Sequence, residues 1–195
     1  MIQPIIPHQV AWFTGLSGAG KTTICLNAVS LLQAKGLKVL TLDGDIIRSK
    51  LHKHLGFSPE DIKENNRLIV DLCQVSLPRY DVILVPIISP FRDSRAHAKK
   101  ELGSTMAEVY VKVSLQEAAI RDPKGLYQDQ QSGKIQNLIG VDGVPYEHPE
   151  HPDLNLDTER MDPDSCAAKL VDCLLGVGSQ RSITRATIDN DDNSH

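Results

Sequence analysis

The chain of 195 residues contains 41% apolar and 24% charged residues, so we expect a folded domain with a sizeable core and exclude wholesale disorder. Its net charge of −4 argues against a nucleic-acid binder held by bulk charge. No apolar run approaches the roughly 20 residues needed to cross a bilayer, and the amino terminus lacks the features of a signal peptide.

Short apolar runs alternate with helical patterns along most of the chain. The runs predict strands at 10–14, 38–42, 81–88 and 107–113. The patterns between and after them predict helices at 21–34, from Ser58 onward, at 91–102 and at 164–175. Near-continuous apolar strands separated by helices are typical of a mainly parallel central sheet covered on both faces, which is a three-layer α/β/α fold.

The segment at about 122–150 breaks this rhythm, because it is rich in Gly, Pro, Gln and charge. So long a polar segment inside a compact domain is usually a lid or a binding loop. We therefore predict one domain over 1–175 that carries this lid, followed by a flexible polar tail over 176–195.

The four cysteines are widely scattered and form no CxxC pair. This spacing indicates reduced thiols in the core rather than a disulfide framework or a zinc site. Together with the missing signal peptide, it predicts a cytoplasmic protein.

The string at 15–23 follows the first predicted strand, opens the first predicted helix and fits the pattern G-x-x-x-x-G-K-[ST]. Its glycines let backbone N–H groups turn toward phosphate oxygens, and the helix amino terminus adds its positive end. Lys21 would reach the β- and γ-phosphates of ATP, and the Thr22 hydroxyl would hold Mg²⁺. The pattern predicts the P-loop NTPase fold. The predicted nucleotide-binding residues are Gly15, Leu16, Ser17, Gly18, Ala19, Gly20, Lys21, Thr22 and Thr23.

The phosphate loop predicts nucleotide binding but does not define the reaction. A GTPase-type switch needs an N-K-x-D motif, and no asparagine in this chain is followed by lysine. A small-molecule kinase is therefore the better class. The alternative from another class is a nucleotide-binding protein without turnover.

Two carboxylates, Asp43 and Asp45, follow the second predicted strand. Residues just past the carboxyl end of a parallel strand line the ligand crevice, beside the phosphate loop. Asp43 would join Thr22 as a ligand of Mg²⁺, and Asp45 is our preferred base for an attacking hydroxyl. With Lys21 they form the candidate catalytic set, although either carboxylate could instead cap the next helix.

Six strings occur together in this order: FTGLSGAGKTT, LDGD..R, LGFS.ED..EN.R, ISPFR..R, RDPKGLY and GVD..PYE. From about residue 9 to 158 the chain resembles the adenylyl-sulfate kinase family, in which these strings have the same order and spacing. The resemblance implies phosphorylation of the 3′-hydroxyl of adenylyl sulfate by ATP, giving ADP and 3′-phosphoadenylyl sulfate. It also implies Mg²⁺ and a cytoplasmic homodimer.

The resemblance also implies an acceptor site. Arg48 and Asn65 match positions that hold the acceptor nucleotide, and Phe57 matches an aromatic that packs on its adenine, although a core phenylalanine would fit the same pattern. Lys124 matches a lid lysine near the acceptor and the transferring phosphate. Arg67 matches an arginine in the helix of Asn65, where a solvated face is the alternative. The full implied acceptor set is Asp45, Arg48, Phe57, Asn65, Arg67, Ile88, Ser89, Lys124 and Leu138.

Ser89 matches the serine often labelled a phosphoserine intermediate in this family, which adds it to the catalytic candidates. A plainer role follows from its neighbours, because Ser89-Pro90 precedes the helix predicted at 91–102 in the arrangement favoured for a cap followed by proline. A direct in-line transfer needs no covalent intermediate. Arg92 and Arg95 lie one turn apart on that helix and would either contact phosphate or pair with acids.

Three positions depart from the family pattern, all on the acceptor side. Ile62 stands where the family usually has arginine, Leu138 replaces the second stacking phenylalanine, and Ile46 replaces an asparagine. Losing a ring weakens a purine clamp by about 1–3 kcal/mol. A second acceptor therefore stays open: a pyrimidine nucleotide anhydride such as cytidine diphosphoramidate.

Overall fold

A five-stranded, entirely parallel sheet forms the centre of the described structure, a computed structural model that describes residues 6–141 and 143–177. Its strands are β1 (Val10–Thr14), β2 (Val39–Thr41), β3 (Val82–Val85), β4 (Met106–Lys112) and β5 (Leu154–Asp157). They lie in the order β2-β3-β1-β4-β5. The predicted parallel sheet is confirmed.

The described part of the chain has seven α-helices and one short 3₁₀ helix, and all but the last α-helix lie between strands. The helices are α1 (Lys21–Ala34), α2 (Gly44–Lys50), α3 (Pro59–Ser76), α4 (Arg92–Leu102), α5 (Leu115–Arg121), α6 (Leu126–Gln131), α7 (Pro163–Leu175) and the 3₁₀ helix Gly103–Thr105. The cap predicted at Ser58 is confirmed, because its Oγ accepts from the backbone N–H of Asp61 at 3.1 Å.

Helices cover both faces of the sheet, which explains the apolar strands. Side chains alternate along β1, so that Ala11 and Phe13 pack in a core with α1 and α7, whereas Val10 and Trp12 pack in a second core with α3 and α4. All four of these residues are fully buried. The fold is therefore the three-layer α/β/α arrangement expected from the sequence.

Some boundaries differ from those predicted, for physical reasons. β3 ends at Val85 rather than continuing to residue 88, because Pro86 has no N–H to donate to a neighbouring strand. β5 was not predicted, because only Leu156 of its four residues is fully buried and the signal is weak.

The cysteines are free thiols as predicted. No helix among residues 6–141 and 143–177 is long and apolar enough to cross a membrane. Most of the tail predicted at 176–195 lies outside the described residues.

The strand order determines where a ligand can bind. β1 lies between β3 and β4, and the chain passes from β1 to β2 on one side before it crosses to β4 on the other. A crevice at the carboxyl ends of the strands opens where such an order reverses. The turns after β1, β2 and β3 all lie at that edge.

Candidate active site

The turn from β1 to α1 has the backbone geometry of a phosphate loop. Gly20 precedes α1 in the left-handed region at φ +96°, and no side chain caps this helix. Gly18 has φ +78°, and a Cβ there would lie 2.8 Å from the Ala118 carbonyl oxygen, so only glycine fits. The uncapped N–H groups at the start of α1 remain available for phosphate oxygens.

The ammonium of Lys21 is held inside this loop. Its Nζ donates to the carbonyl oxygens of Gly15 at 2.8 Å and Leu16 at 2.6 Å. The pKa of Lys21 is lowered to about 7, mainly by burial and also by the charge of Lys124, while Asp45 and Asp43 oppose the shift. The loop therefore keeps a cation in a place where water does not stabilise its charge.

A cavity of about 420 Å³ connects the phosphate loop to the ends of β2 and β3. One end is lined by the loop from Ser17 to Thr23, and the other by residues of α2 and α3 and of the segment between them. Pro123 and Lys124, from the predicted lid segment, also line it. The cavity thus offers a place for two ligands whose ends meet near the turn after β2.

The two carboxylates after β2 have different surroundings. Asp43 caps α2, because its Oδ1 accepts from the backbone N–H groups of Asp45 at 3.0 Å and Ile46 at 3.2 Å. Asp45 does not cap the helix but forms an ion pair with Lys124. The capping alternative therefore holds for Asp43, whereas the carboxylate of Asp45 remains accessible in the cavity.

The oxygens near the loop suit Mg²⁺. Thr22, an exposed residue, contributes its hydroxyl, and Asp43 contributes Oδ2, since its Oδ1 caps α2. Both residues line the cavity. No group of three or more His, Cys, Asp or Glu side chains in the described part of the chain could hold a metal by itself. A hard cation here would therefore share its coordination with phosphate oxygens and water, as Mg²⁺ commonly does.

Arg48 and Phe57 form the outer end of the cavity. The guanidinium carbon of Arg48 lies 4.7 Å from the centroid of the Phe57 ring, and Arg48 also donates to the Gly56 carbonyl. Phe57 is 67% exposed, so its interpretation as a core phenylalanine is wrong. An exposed ring beside a cation at the mouth of a cavity is suited to stacking on a nucleotide base.

Asn65 and its neighbour Asn66 are both buried on α3 and line the cavity. The Oδ1 of Asn65 accepts from the Nδ1 of His52 at 2.9 Å, since the amide oxygen can only accept. This bond fixes the amide and directs its NH₂ group away from His52. Ile88 lines the same cavity at the carboxyl end of β3.

The departures from the family pattern have different consequences. Ile62 is buried with Phe91 and Val144 and forms an apolar part of the cavity wall. Leu138 does not line the cavity but packs in the main core, and its neighbour Ile139 lines the cavity instead. The prediction that Leu138 contacts the acceptor is therefore wrong for this structure, because burying Leu138 is favourable and turns the adjacent side chain outward.

Arg67 is the second predicted acceptor residue that the structure does not bring to the cavity. Its guanidinium makes two bonds of 2.9 Å to the carboxylate of Glu64 and one of 3.0 Å to Asp71. These partners lie three and four residues away, on the outer face of α3. The solvated-face alternative is the correct one.

The prediction that Ser89 caps α4 is also wrong. The helix begins at Arg92 after Phe91, and the N–H of Arg92 is bound by Glu147 Oε2 at 2.6 Å. Ser89 itself is a cavity residue with φ +41°, in the left-handed region that non-glycine residues rarely occupy. Tertiary contacts, rather than the helix, determine its conformation.

The two arginines of α4 pair with acids. Arg92 contacts Glu150 at 3.0 Å, and the buried Arg95 contacts Glu108 at 2.7 Å. Arg95 also donates to the Ser89 carbonyl at 2.7 Å. Sequence reasoning left this role open because a buried arginine and an exposed one look alike in a helical pattern.

Sequence reasoning also missed Trp12 and Asn66. Both donate hydrogen bonds to Ser89 Oγ, each at 3.1 Å. The asparagine pair at 65–66 was a usable signal for Asn66, because amides are seldom buried in a helix without a partner. No sequence signal identified Trp12, since a tryptophan in an apolar strand is ordinarily a core residue.

Comparisons with known proteins agree with this geometry. A family model described as "Adenylylsulphate kinase" matches residues 8–157. A "Probable adenylyl-sulfate kinase" from Pyrococcus abyssi is 42% identical over 160 residues, covering 82% of this chain and 91% of that protein. An "Adenylyl-sulfate kinase" from Bacillus velezensis is 40% identical over 165 residues, covering 84% and 83%. The structure of the Mycobacterium tuberculosis APS kinase CysC in complex with AMPPNP and APS has a TM-score of 0.80 and 36% identity, covering 87% of this chain and 99% of that one. The chain belongs to the adenylylsulphate kinase family.

Proposed function

We propose that this protein is an ATP-dependent kinase that phosphorylates the 3′-hydroxyl of adenylyl sulfate, giving ADP and 3′-phosphoadenylyl sulfate. The observation that carries the proposal is a single cavity of about 420 Å³ with a phosphate loop at one end and Arg48, Phe57 and Asn65 toward the other. The similar M. tuberculosis kinase is described with AMPPNP and APS bound, which are ligands of these two kinds.

The donor nucleotide is ATP. Its phosphates would lie on the uncapped start of α1, where the loop N–H groups and the helix dipole favour negative charge. Its outer phosphates would replace the Gly15 and Leu16 carbonyls as partners of the Lys21 ammonium. A cation already present in a dry loop stabilises the charge that develops during transfer better than one in water does.

We assign Asp45 as the base for the acceptor hydroxyl. The 3′-oxygen forms a bond to the γ-phosphorus as the bond from that phosphorus to the bridging oxygen of ADP breaks, and the hydroxyl proton passes to Asp45. Asp45 is suited to this role because, unlike Asp43, its carboxylate is not occupied as a helix cap. Its ion pair with Lys124 has to open, which frees the lysine for a ligand phosphate.

The acceptor would bind at the outer part of the cavity. Phe57 would stack on its base, Arg48 would supply positive charge, and Asn65 would donate from the amide group that His52 leaves free. Lys124 would close over the junction of the two nucleotides. Arg67 and Leu138 are left out of this assignment because they lie outside the cavity.

We further propose that Thr22 and Asp43 hold Mg²⁺ together with ligand phosphates and water. When bound there, the ion would neutralise charge on the transferring phosphoryl group. The oxygen donors at these two positions suit a hard cation.

The segment at about 122–150 is our proposed lid. Its contacts with the site include the ion pair between Lys124 and Asp45 and the 3.0 Å bond from the Tyr127 hydroxyl to the Ser17 carbonyl. A lid that contacts both the loop and the base is placed to exclude water, which matters because hydrolysis of ATP competes with transfer.

We also propose a homodimer in the cytoplasm, which sedimentation analysis and fractionation of cells would test.

An acceptor panel tests the proposed function. Rates of ADP release are measured with adenylyl sulfate, a cytidine diphosphoramidate and a uridine nucleotide anhydride, and compared as kcat/KM. We expect adenylyl sulfate to give the highest value, as the names of the relatives favour. Lys21→Ala is the matched control, because it keeps the cavity but removes the loop cation. Preference for a pyrimidine acceptor would refute the assigned substrate, and nucleotide binding without turnover of any acceptor would refute a kinase.

A further inference from the structure

His52 is buried in the segment that joins α2 to α3. It is 7% exposed. Its backbone N–H donates to the Ile47 carbonyl at 3.1 Å, and its carbonyl accepts from the N–H of Leu55 at 3.0 Å. The imidazole ring lies edge-on to that of His54, with 6.5 Å between the ring centroids. The ring is therefore held in one place, and it is not among the described residues that line the cavity.

The hydrogen bond between His52 and Asn65 has a fixed direction. Asn65 Oδ1 lies 2.9 Å from His52 Nδ1, and an amide oxygen has no hydrogen to give. The hydrogen of this bond therefore belongs to Nδ1, which determines the nitrogen that carries the hydrogen in a neutral ring. If Nδ1 lacked that hydrogen, the amide of Asn65 would have to rotate by half a turn, and its NH₂ group would face the ring.

The two buried amides of α3 differ in what their NH₂ groups contact. Asn66 Nδ2 donates to Ser89 Oγ at 3.1 Å. Within residues 6–141 and 143–177, no protein acceptor is hydrogen-bonded to the NH₂ group of Asn65, which is 4% exposed and lines the cavity. A nearly buried donor without a protein partner favours a ligand that supplies an acceptor. The ring of His52 thus decides whether the cavity is offered this donor or, after rotation, a carbonyl oxygen.

We propose that His52 is a positioning residue, which makes Asn65 a hydrogen-bond donor toward the acceptor nucleotide by holding its amide oxygen. The inference rests on the proposed function, since it names what orients a side chain of the same acceptor site. His52 itself lies outside the six strings that carry the family resemblance. A site with a fixed donor favours a nucleotide that presents a lone pair there and rejects one that presents a hydrogen.

The protonated ring nitrogen of His52 is the first readout, and it needs no substrate. Long-range ¹H–¹⁵N NMR spectra of the wild-type protein are recorded at about pH 8, where an ordinary imidazole is neutral. Comparison with His52→Asn identifies the signals of His52. We expect the hydrogen on Nδ1. A hydrogen on Nε2 alone would overturn the inference, because Asn65 would then present its carbonyl to the cavity.

Steady-state kinetics supply the second readout. His52→Leu removes the donor, and we expect the KM for adenylyl sulfate to rise about fivefold, as for the loss of one ordinary hydrogen bond. The kcat and the KM for ATP should stay within about twofold of wild type. His52→Asn should restore the acceptor KM, because its Nδ2 stands as many bonds from the backbone as histidine Nδ1 and can donate. His54→Leu is the matched control, since His54 is an exposed histidine of the same segment that does not line the cavity.

A double-mutant cycle separates positioning from a merely structural role. Asn65→Ala has lost the amide, so adding His52→Leu should change the acceptor KM by less than about twofold further. A further fivefold rise would overturn the inference, because His52 would then act independently of Asn65. So would a failure of His52→Asn to restore the acceptor KM. The NMR readout decides the question even where His52→Leu does not fold, because it uses the wild-type protein.

The two proposals can fail separately in these experiments. Normal wild-type turnover of adenylyl sulfate with an unchanged acceptor KM in His52→Leu removes the positioning role and leaves the proposed function intact. A wild-type protein that does not turn over adenylyl sulfate removes the proposed function, and the positioning role with it. A change confined to the KM for ATP would place the amide of Asn65 at the donor nucleotide and overturn the inference.

Discussion

Replacing Lys21 with methionine tests whether the loop holds its ammonium at an energetic cost. Burial lowers the pKa of Lys21 from 10.5 to about 7, with Lys124 adding to the shift and the two aspartates opposing it. Between pH 7 and pH 10.5 the unfolded chain therefore binds more protons at this residue than the folded protein does. The contribution of Lys21 to stability must then become more favourable as the pH rises through that window.

The size of the effect follows from the two pKa values. Relative to the unfolded chain, Lys21 costs the folded protein about 4 kcal/mol at pH 7 and about 2 kcal/mol at pH 9. Methionine fills a similar volume and carries no proton. The free energy of unfolding of Lys21→Met minus that of wild type should therefore fall by about 2 kcal/mol between pH 7 and pH 9.

The assay is urea unfolding of both proteins without nucleotide at pH 7, 8 and 9. Taking the difference cancels the other titrating groups, and an unchanged m-value shows that the extent of unfolding is the same. Lys35→Met is the matched control, because Lys35 is exposed just after α1. A difference between Lys21→Met and wild type that stays level across the three pH values would refute the argument that burial controls this pKa.

Four further substitutions test individual contacts. Asp45→Asn should lower kcat by about a hundredfold with little change in either KM, in an ADP-release assay, because the amide cannot take the hydroxyl proton; full turnover would end its role as base. Phe57→Ala should raise the KM for the acceptor by about tenfold without affecting that for ATP, as expected for one lost stacking contact. Arg95→Met should lower the free energy of unfolding by about 3 kcal/mol, because Glu108 keeps a partly buried charge without its partner; adding Glu108→Gln should restore part of that loss in urea unfolding. Lys124→Met should raise the rate of ATP hydrolysis without acceptor relative to the rate of transfer, and an unchanged ratio would contradict the coupling argued below.

Two Ser-Pro pairs show what local sequence can and cannot predict. Ser58-Pro59 and Ser89-Pro90 carry the same signal for the start of a helix, and Ser58 caps α3 as that signal predicts. Ser89 does not cap α4, because its Oγ is taken by Trp12, 77 residues away, and by Asn66, 23 residues away. A helix cap depends on residues that are close together in the chain, so it can be predicted from the sequence unless a distant donor binds the same oxygen.

The phosphate loop was predictable because its lysine contacts residues that are close to it in the chain. β1 and α1 have the predicted bounds, and the ammonium of Lys21 binds the carbonyls of Gly15 and Leu16, which are six and five residues away. The acceptor side is assembled from separate segments, so its sequence signal is weaker. Arg67 and Asn66 are neighbours on α3, yet one faces solvent and the other the cavity, and only the packing of α3 against the sheet distinguishes them.

Lys21 and Asp45 both have partners within the protein, and these contacts connect the lid, the base and the phosphate loop. Lys21 is bound by loop carbonyls, and Asp45 is bound by Lys124. The phosphates of ATP can replace the carbonyls as partners of Lys21. Water is neutral, so it does not compete with Asp45 for the positive charge of Lys124. We therefore expect the base to become available only when a second, anionic ligand competes for Lys124. Because Lys124 belongs to the proposed lid, the same exchange would close the site and free the base, so that ATP bound alone meets a carboxylate that is still paired and little able to activate water.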